Sequence, residues 1–338
     1  MKILVTGGAG FIGSNFVLGA LADTQHSFIV LDAMTYAANP ASLQGALEAY
    51  DATRLRFVRG SITHEDLVDS LVSQVDLVVH FAAESHNDRS LHSPLDFVRT
   101  NVEGTAVLLA ASARYKVRFH HVSTDEVFGD LAFDDPARFR PDTPYRPSSP
   151  YSASKAASDH LVRAWVRSFG LEATISNCSN NYGPRQHPEK FIPRQILNLL
   201  ADEPPRVYGT GRNVRDWIHV EDHNSAVWTI IERGTPGNTY LIGADGEHSN
   251  MEVVRELNEI FGRDPDDFLH VSDRPGHDRR YAIDPASTRE LGWEPRHGDF
   301  REGLCATVEW YRENPQWWEA AFAASESAYR KGERQFPH

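Results

Sequence analysis

Thr124, Asp125 and Glu126 follow the apolar stretch Val117 to Val122, and Tyr151 and Lys155 lie downstream, four residues apart. Two adjacent carboxyls can divide the work of an acid and a base, and a phenol one helical turn from an ammonium can accept a proton. The set therefore reads as machinery for removing water from a substrate. Residues four apart on a helix project from the same face. A lysine ammonium beside a phenol favours the phenolate, so Lys155 is expected to bring the Tyr151 pKa down from its reference of about 10. The phenolate then takes a hydroxyl proton while hydride leaves the same carbon. Two carboxyls side by side at a partly buried strand end should have pKa values pushed apart, as an acid and base pair requires.

Such chemistry needs a hydride acceptor, and the amino terminus offers a place for one. Lys2-Ile3-Leu4-Val5-Thr6 is a β-branched run that breaks into Gly7-Gly8-Ala9-Gly10-Phe11-Ile12-Gly13, the pattern of a strand turning tightly into a helix. Gly7 supplies the turn, Gly10 lets a pyrophosphate approach the backbone, and Gly13 lets the helix pack close to the strand, with phosphate at the helix N-terminus. The spacing is G-x-x-G-x-x-G rather than G-x-G-x-x-G, with the same mechanics. A second strand, Phe28 to Leu31, ends in Asp32, about 20 residues past the last glycine, where a carboxylate binds both ribose hydroxyls. A carboxylate there repels a 2′-phosphate, which favours NAD over NADP.

The remaining elements position these groups. Apolar runs at Leu55 to Val58, Leu77 to Phe81, Val117 to Val122 and Ala173 to Ser176 alternate with helical patterns at Glu65 to Val72, Leu95 to Ala113 and Tyr151 to Phe169. The alternation predicts an α/β fold, a Rossmann-type doubly wound parallel sheet joined by right-handed crossovers. Its ligands sit beyond the carboxyl ends of the strands, where Gly7, Asp32, Gly60-Ser61, Ala82-Ala83-Glu84-Ser85 and Ser123 to Glu126 converge. Past residue 180 the texture shifts to loops rich in Pro, Gly and Arg. The expected division is an NAD-binding domain over 1–180, to which parts of 205–245 return. A smaller mixed α/β C-terminal substrate lobe spans 181–204 and 246–325.

Composition narrows the class. The 338 residues are 41% hydrophobic and 24% charged, ordinary for a globular enzyme. No secretory leader precedes the first strand and no apolar run is long enough to span a bilayer, so the expectation is a cytoplasmic protein without a membrane partner. A formal charge of −13 argues against nucleic acid as a partner. Cys178 and Cys305 form no CxxC pattern, and His120, His121, His219 and His223 show no ligand spacing, so neither disulfide nor metal is expected.

The glycine-rich opening, Ser123-Thr124 and Tyr151-Ser152-Ala153-Ser154-Lys155 together resemble the extended short-chain dehydrogenase/reductases that act on nucleotide sugars. Thr124-Asp125-Glu126-Val127-Phe128-Gly129 is similar to the dTDP-glucose 4,6-dehydratases. Further similar segments are Ala82-Ala83-Glu84-Ser85-His86, Asn180-Asn181-Tyr182-Gly183-Pro184, Pro188 to Pro193, Asn213-Val214-Arg215-Asp216-Trp217 and Asp273 to Asp278. The resemblance implies dehydration of a nucleotide sugar with NAD bound throughout. Oxidation at carbon 4 acidifies the carbon 5 hydrogen, Glu126 takes that proton, protonated Asp125 assists departure of the carbon 6 hydroxyl, and hydride returns to carbon 6. Thr124 would bond the carbon 4 hydroxyl near Tyr151.

The residues assigned to NAD are Gly7, Gly10, Phe11, Ile12, Gly13, Asp32, Thr35, Ser61, Ile62, Ala82, Ala83, Thr100, Tyr151, Lys155 and Asn181. Those assigned to the nucleotide sugar are Ser85, Thr124, Asn180, Glu189, Lys190, Phe191, Arg215, Asn250, Arg274 and His277, with Lys190, Arg215 and Arg274 as phosphate anchors. The resemblance also implies a homodimer through the helices Leu95 to Ala113 and Tyr151 to Phe169. Five positions depart from the family pattern: Ser61 for aspartate, Asn87 for valine, Ala38 for glycine, Arg185 for tyrosine, and Phe128 for tyrosine, which merely loses a hydroxyl. A UDP-linked or N-acetylated sugar is an alternative substrate, and a noncatalytic NAD-binding sensor is an alternative of another class.

Overall fold

Alternation of apolar residues decides the layering. In β1 (Lys2–Thr6), Ile3 and Val5 enter one buried apolar cluster while Leu4 enters another, and in β2 (Ser27–Asp32) Phe28 and Val30 part from Ile29 and Leu31 in the same way. Successive side chains point to opposite faces, so a strand apolar at every position must be covered on both sides. The computed structural model describes residues 1–273 and 278–333, with side chains as far as residue 326.

The other strands are β3 (Leu55–Arg59), β4 (Leu77–His80), β5 (Arg118–Thr124), β6 (Ala173–Cys178), β7 (Asn180–Tyr182), β8 (Arg206–Tyr208), β9 (Val214–His219), β10 (Thr239–Ile242), β11 (Glu247–Ser249) and β12 (Leu269–Val271). Seven of them form one sheet in the order β10-β6-β5-β4-β1-β2-β3, and every neighbouring pair is parallel. The order reverses between β1 and β4, which opens a crevice beyond their carboxyl ends. Register aligns those ends: Thr6 pairs with Leu31 and His80, and His80 pairs with His121. Gly7, Asp32, Phe81 and the end of β5 are thereby brought to one edge.

Helices α1 (Phe11–Asp23), α2 (Ala41–Ala49), α3 (Glu65–Val72), α4 (Asn87–His92), α5 (Pro94–Phe97), α6 (Gly104–Tyr115) and α7 (Pro150–Phe169) fall between these strands. Helix α7 starts at a capping box in which Ser149 and Ser152 satisfy each other's backbone, with Pro150 in the first turn, and stops at Gly170 with φ +66°. The continuous helix expected over Leu95 to Ala113 is interrupted: Val98–Glu103 is a π-helical segment between α5 and α6. Its wider turn frees the Asn101 carbonyl, which accepts from the hydroxyls of Thr105 and Ser158, both at 2.6 Å. The Asn101 side chain meanwhile ties the loop after β4 to α7 through Glu84 and Ser154.

Helices α8 (Phe191–Leu200), α9 (Val220–Arg233), α10 (Asn250–Ile260), α11 (Ala286–Arg289), α12 (Phe300–Glu313) and α13 (Pro315–Glu333) complete the chain. Strands β11, β9 and β7 form a mixed three-stranded sheet. Beside it Tyr182, Ile192, Ile196, Trp217, Val253, Leu257, Leu304 and Tyr311 build a separate apolar core, so a smaller lobe stands against the main sheet. Among the described residues no helix is long and apolar enough to cross a membrane.

Candidate active site

The acidic pair is placed by a local turn. Thr124 ends β5 in extended backbone, and its hydroxyl caps the 3-10 turn Asp125–Phe128 by accepting from the Glu126 N–H at 3.3 Å. The same hydroxyl donates to Asp125 Oδ1 at 3.3 Å. Asp125 is 2% exposed, and its Oδ2 has no hydrogen-bond partner among the described residues. Burial first, then the charges of Glu126 and Asp216, pushes the Asp125 carboxyl well above the usual carboxylate range, against the pull of Arg215 and Thr124. Burial and these neighbouring charges thus favour the protonated form of Asp125. Glu126 is only half-buried, and the Asn87 amide donates to its Oε2 at 3.1 Å. The two carboxyls differ as an acid and a base should.

Tyr151 stands in the first turn of α7 facing this turn, where the Thr124 hydroxyl pulls its phenol toward ionisation. Its proton affinity runs opposite to the sequence expectation. Burial, then Glu126 and Cys178, holds the phenol well above its usual value. Lys155 does not offset these effects, because its ammonium donates to the Val122 carbonyl at 2.9 Å and lies 3.5 Å from His121 Nε2. Sharing a helix face with Tyr151 does not direct the ammonium to the phenol. Burial lowers the Lys155 pKa to about 8, with Asp159 opposing. Asp159 itself is fully buried, which raises its pKa, yet His121 Nε2 at 3.2 Å, a hydrogen bond from Asn177 and the Lys155 charge leave it low. Asn177 also donates to the Thr124 carbonyl at 3.0 Å, so one buried network supports both Lys155 and the catalytic turn.

The glycine turn fits a dinucleotide. Gly7 has φ +70°, and a β-carbon there would stand 2.6 Å from the Ala82 backbone nitrogen; one at Gly13 would stand 2.4 Å from the Gly7 carbonyl oxygen. Gly10 brings no side chain to cap α1, which leaves first-turn N–H groups to an anion. Asp32 is fixed at the cleft by N–H groups of Ala9 and Met34, at 2.9 and 2.8 Å. Ser123 Oγ, Ser179 Oγ, Asn180 Oδ1 and Asn181 Oδ1 are buried without a hydrogen-bond partner among the described residues. Buried polar atoms are rarely left so in a site built to stay dry and empty, and here they line the crevice where NAD is expected.

One cleft gathers most of the residues read from the sequence. It is lined by Gly7, Gly10, Phe11, Ile12, Gly13, Asp32, Thr35, Ser61, Ile62, Ala82, Ala83, Ser85, Thr100, Thr124, Asp125, Glu126, Tyr151, Lys155, Asn180, Asn181 and Lys190. Lys190 crosses to the loop after β4 and donates to the Ser85 carbonyl at 3.2 Å. Glu189 is buried beside it, with His86 and Arg89 within 3.8 and 3.6 Å. Phe191 stacks on Trp217 at 6.2 Å, and Asn250 begins α10 with its N–H on the Asn213 carbonyl. Arg215 lies over the Tyr281 ring at 4.3 Å and donates to the Asp278 carbonyl at 2.9 Å. Arg274 and His277 lie outside the described residues.

Tyr281 and Asp216 complete the surroundings of the acidic pair and were not singled out for it from the sequence. Tyr281 donates to Asp278, and burial with the charge of Glu126 raises its phenol. Asp216 is buried and pushed to about 7 by desolvation. Only the place of Asp216 next to Arg215 in a family-like segment pointed toward it; Tyr281 carries no such signal. Arg185, one of the departures from the family pattern, donates to Asn15 at 3.1 Å and lies over Trp310.

Histidine proximity without histidine spacing also occurs. His219, Glu221 and His297 bring candidate ligand atoms within 4.8 Å of one another. The His219 and His297 ring centroids lie 4.1 Å apart with the planes tilted by 33°. His219 Nδ1 accepts the Glu221 N–H as a helix cap, and His297 pairs with Asp222. The cluster is accounted for by capping and ion pairing.

Comparison with known proteins agrees along nearly the whole chain. The family described as GDP-mannose 4,6 dehydratase matches residues 4–307. A dTDP-glucose 4,6-dehydratase of Mycolicibacterium smegmatis is 59% identical over 98% of this chain and 99% of its own. Among solved structures, DesIV (dTDP-glucose 4,6-dehydratase) from Streptomyces venezuelae, with NAD and TYD bound, is 45% identical with TM-score 0.90 over 95% of this chain and 100% of its own. The dTDP-glucose 4,6-dehydratase of Bacillus anthracis in complex with NAD is 40% identical with TM-score 0.87, covering 95% and 99%.

Proposed function

The chain belongs to the dTDP-glucose 4,6-dehydratase family of extended short-chain dehydrogenase/reductases, and from that premise we propose that it converts dTDP-glucose to dTDP-4-keto-6-deoxyglucose. NAD, held along Gly7 to Gly13, Asp32, Thr35, Ser61, Ile62, Ala82, Ala83, Thr100 and Asn181, takes hydride from carbon 4 and returns it to carbon 6. Thr124 and Tyr151 hold the carbon 4 hydroxyl, and Tyr151 receives its proton. The raised phenol needs a cation to do so, and Lys155 supplies it when its ammonium turns from the Val122 carbonyl. Glu126 takes the carbon 5 proton and later restores it. Asp125 gives its proton to the departing carbon 6 hydroxyl.

Asp125 carries this assignment. A carboxyl whose protonated form is favoured by burial and by the charge of Glu126 has no use in a plain oxidoreductase, whereas elimination of water needs an acid and a base within reach of adjacent carbons. Ser85, Asn180, Glu189, Lys190, Phe191, Arg215, Asn250, Arg274 and His277 are assigned to the nucleotide sugar. The lobes follow the same division. Residues 1–180, joined by β10 from within 205–245, form the NAD domain, and 181–204 with 246–325 hold the sugar nucleotide.

The test is to incubate the purified protein, with no added cofactor, separately with dTDP-glucose and with UDP-glucose, and to follow loss of one water by mass spectrometry. Loss from dTDP-glucose alone is expected. Loss from UDP-glucose alone would transfer the reading to a UDP-sugar, and loss from neither, even with NAD added, would reject it.

Two further properties belong to the same reading. The protein works in the cytoplasm, in keeping with two unpaired cysteines, Cys178 and Cys305. It works as a homodimer, because Leu91, Leu95, Val98 and Phe169 stand 52%, 65%, 49% and 64% exposed on or beside the helical segments expected to meet a second copy. Leu95→Glu is expected to halve the mass measured by light scattering. An unchanged mass would remove Leu95 from the interface.

A further inference from the structure

We infer that Asn87 is a positioning residue for Glu126, holding one carboxylate oxygen so that the other is presented to carbon 5 of the sugar. The inference rests on the proposed dehydration, in which Glu126 is the carbon 5 base.

The contact is an Asn87 Nδ2 donor on Glu126 Oε2 at 3.1 Å. Its two ends come from separate elements. Asn87 is the first residue of α4, directly after the loop that contributes Ala82, Ala83 and Ser85 to the cleft, and Glu126 lies in the turn after β5. The Asn87 carbonyl accepts from Ser90 Oγ at 2.6 Å, and α4 packs on α7, the helix that carries Tyr151. The backbone that carries the amide is therefore anchored independently of the carboxylate it meets. A glutamate has three rotatable bonds, and a base that must take and return a proton at one carbon gains from losing that freedom before substrate arrives.

The groups facing Glu126 explain why a neutral donor suits the place. Asp125 lies beside it in the same turn, with Arg215 and Asp216 acting on Asp125; Tyr151 faces it from α7 and Tyr281 from the strand-like segment after Asp278. A cation at position 87 would pair with the carboxylate and weaken it as a base. An amide hydrogen bond favours the carboxylate over the acid while adding no charge. It thus helps to keep the proton of the adjacent pair on Asp125 and off Glu126.

The test compares wild-type holoenzyme with Asn87→Val, which keeps the side-chain bulk and removes the donor, and with Asn87→Ser, which restores a shorter one. Each is mixed with dTDP-glucose in deuterium oxide, and carbon 4 oxidation (reduced-cofactor absorbance) is measured separately from deuterium entry at carbon 5. For Asn87→Val, oxidation is expected within about twofold of wild type and carbon 5 exchange slowed about tenfold near neutral pH. Asn87→Ser should recover part of that deficit. Equal slowing of both steps, a carbon 5 exchange rate unchanged in Asn87→Val, or no recovery in Asn87→Ser would overturn the inference while leaving the dehydration intact. A wild-type protein that oxidises or dehydrates no dTDP-glucose would instead remove the proposed function, and the role of Asn87 with it.

Discussion

Glu126→Gln is expected to halt the reaction after its first half. The variant should oxidise carbon 4 and accumulate reduced cofactor, while loss of water falls by about 10²–10⁴-fold, the usual worth of a general base. Glutamine keeps the size of the side chain, so the turn after Thr124 and the neighbouring cleft wall should remain in place. The change in charge acts on the neighbours in a definite direction. Glu126 is the foremost charge raising Tyr151 and also raises Asp125, in each case after burial. Its removal lets Tyr151 ionise more readily, so carbon 4 oxidation should not be slowed. Reduced-cofactor absorbance after mixing with dTDP-glucose, together with the mass of the sugar nucleotide, separates the halves. Normal water loss by this variant would take Glu126 out of the mechanism.

The parts of this molecule that were legible in its sequence are those fixed by local spacing. The glycines at 7, 10 and 13, Asp32 about 20 residues on, and the strand and helix patterns were all readable because turn geometry and side-chain periodicity act over a few residues. The parallel sheet with its carboxyl-end cleft followed from the alternation of elements. Less was legible where a side chain had a choice of partners. Lys155 shares a face with Tyr151, but its buried ammonium finds the Val122 carbonyl, and the buried phenol is raised rather than lowered. The π segment at Val98–Glu103 carries Asn101, which bonds to Glu84 and Ser154, long-range contacts that helical periodicity does not encode. Asn87 on Glu126 and Tyr281 beside the same carboxylate join segments 39 and 155 residues apart (126 − 87 and 281 − 126). Only the folded chain brings them together.

Tyr151→Phe should stop the reaction before anything is reduced, with neither cofactor absorbance nor carbon 5 exchange, a loss of about 10²–10⁴-fold at the oxidation step. The pair Tyr151→Phe with Glu126→Gln should behave as Tyr151→Phe alone, since the earlier step then limits everything after it. The pH dependence of oxidation identifies the partner. Burial leaves the Lys155 pKa at about 8 and the Tyr151 phenol well above its usual value, so the pair gives up its first proton near pH 8. The reactive form carries that remaining proton on Lys155 and none on Tyr151. It is a minor tautomer of the singly deprotonated pair, and its share is constant once the first proton has gone. Carbon 4 oxidation should therefore rise with pH to about 8 and then level off. In Lys155→Met only the phenol remains to titrate, so oxidation should be slow at neutral pH and keep rising, by about tenfold per pH unit, past the point where wild type is flat. Pre-steady-state absorbance across this range checks both curves. A Lys155→Met profile that levels off where wild type does would show that Lys155 does not set the ionisation of Tyr151, and would leave the phenol to be activated by another group of the cleft.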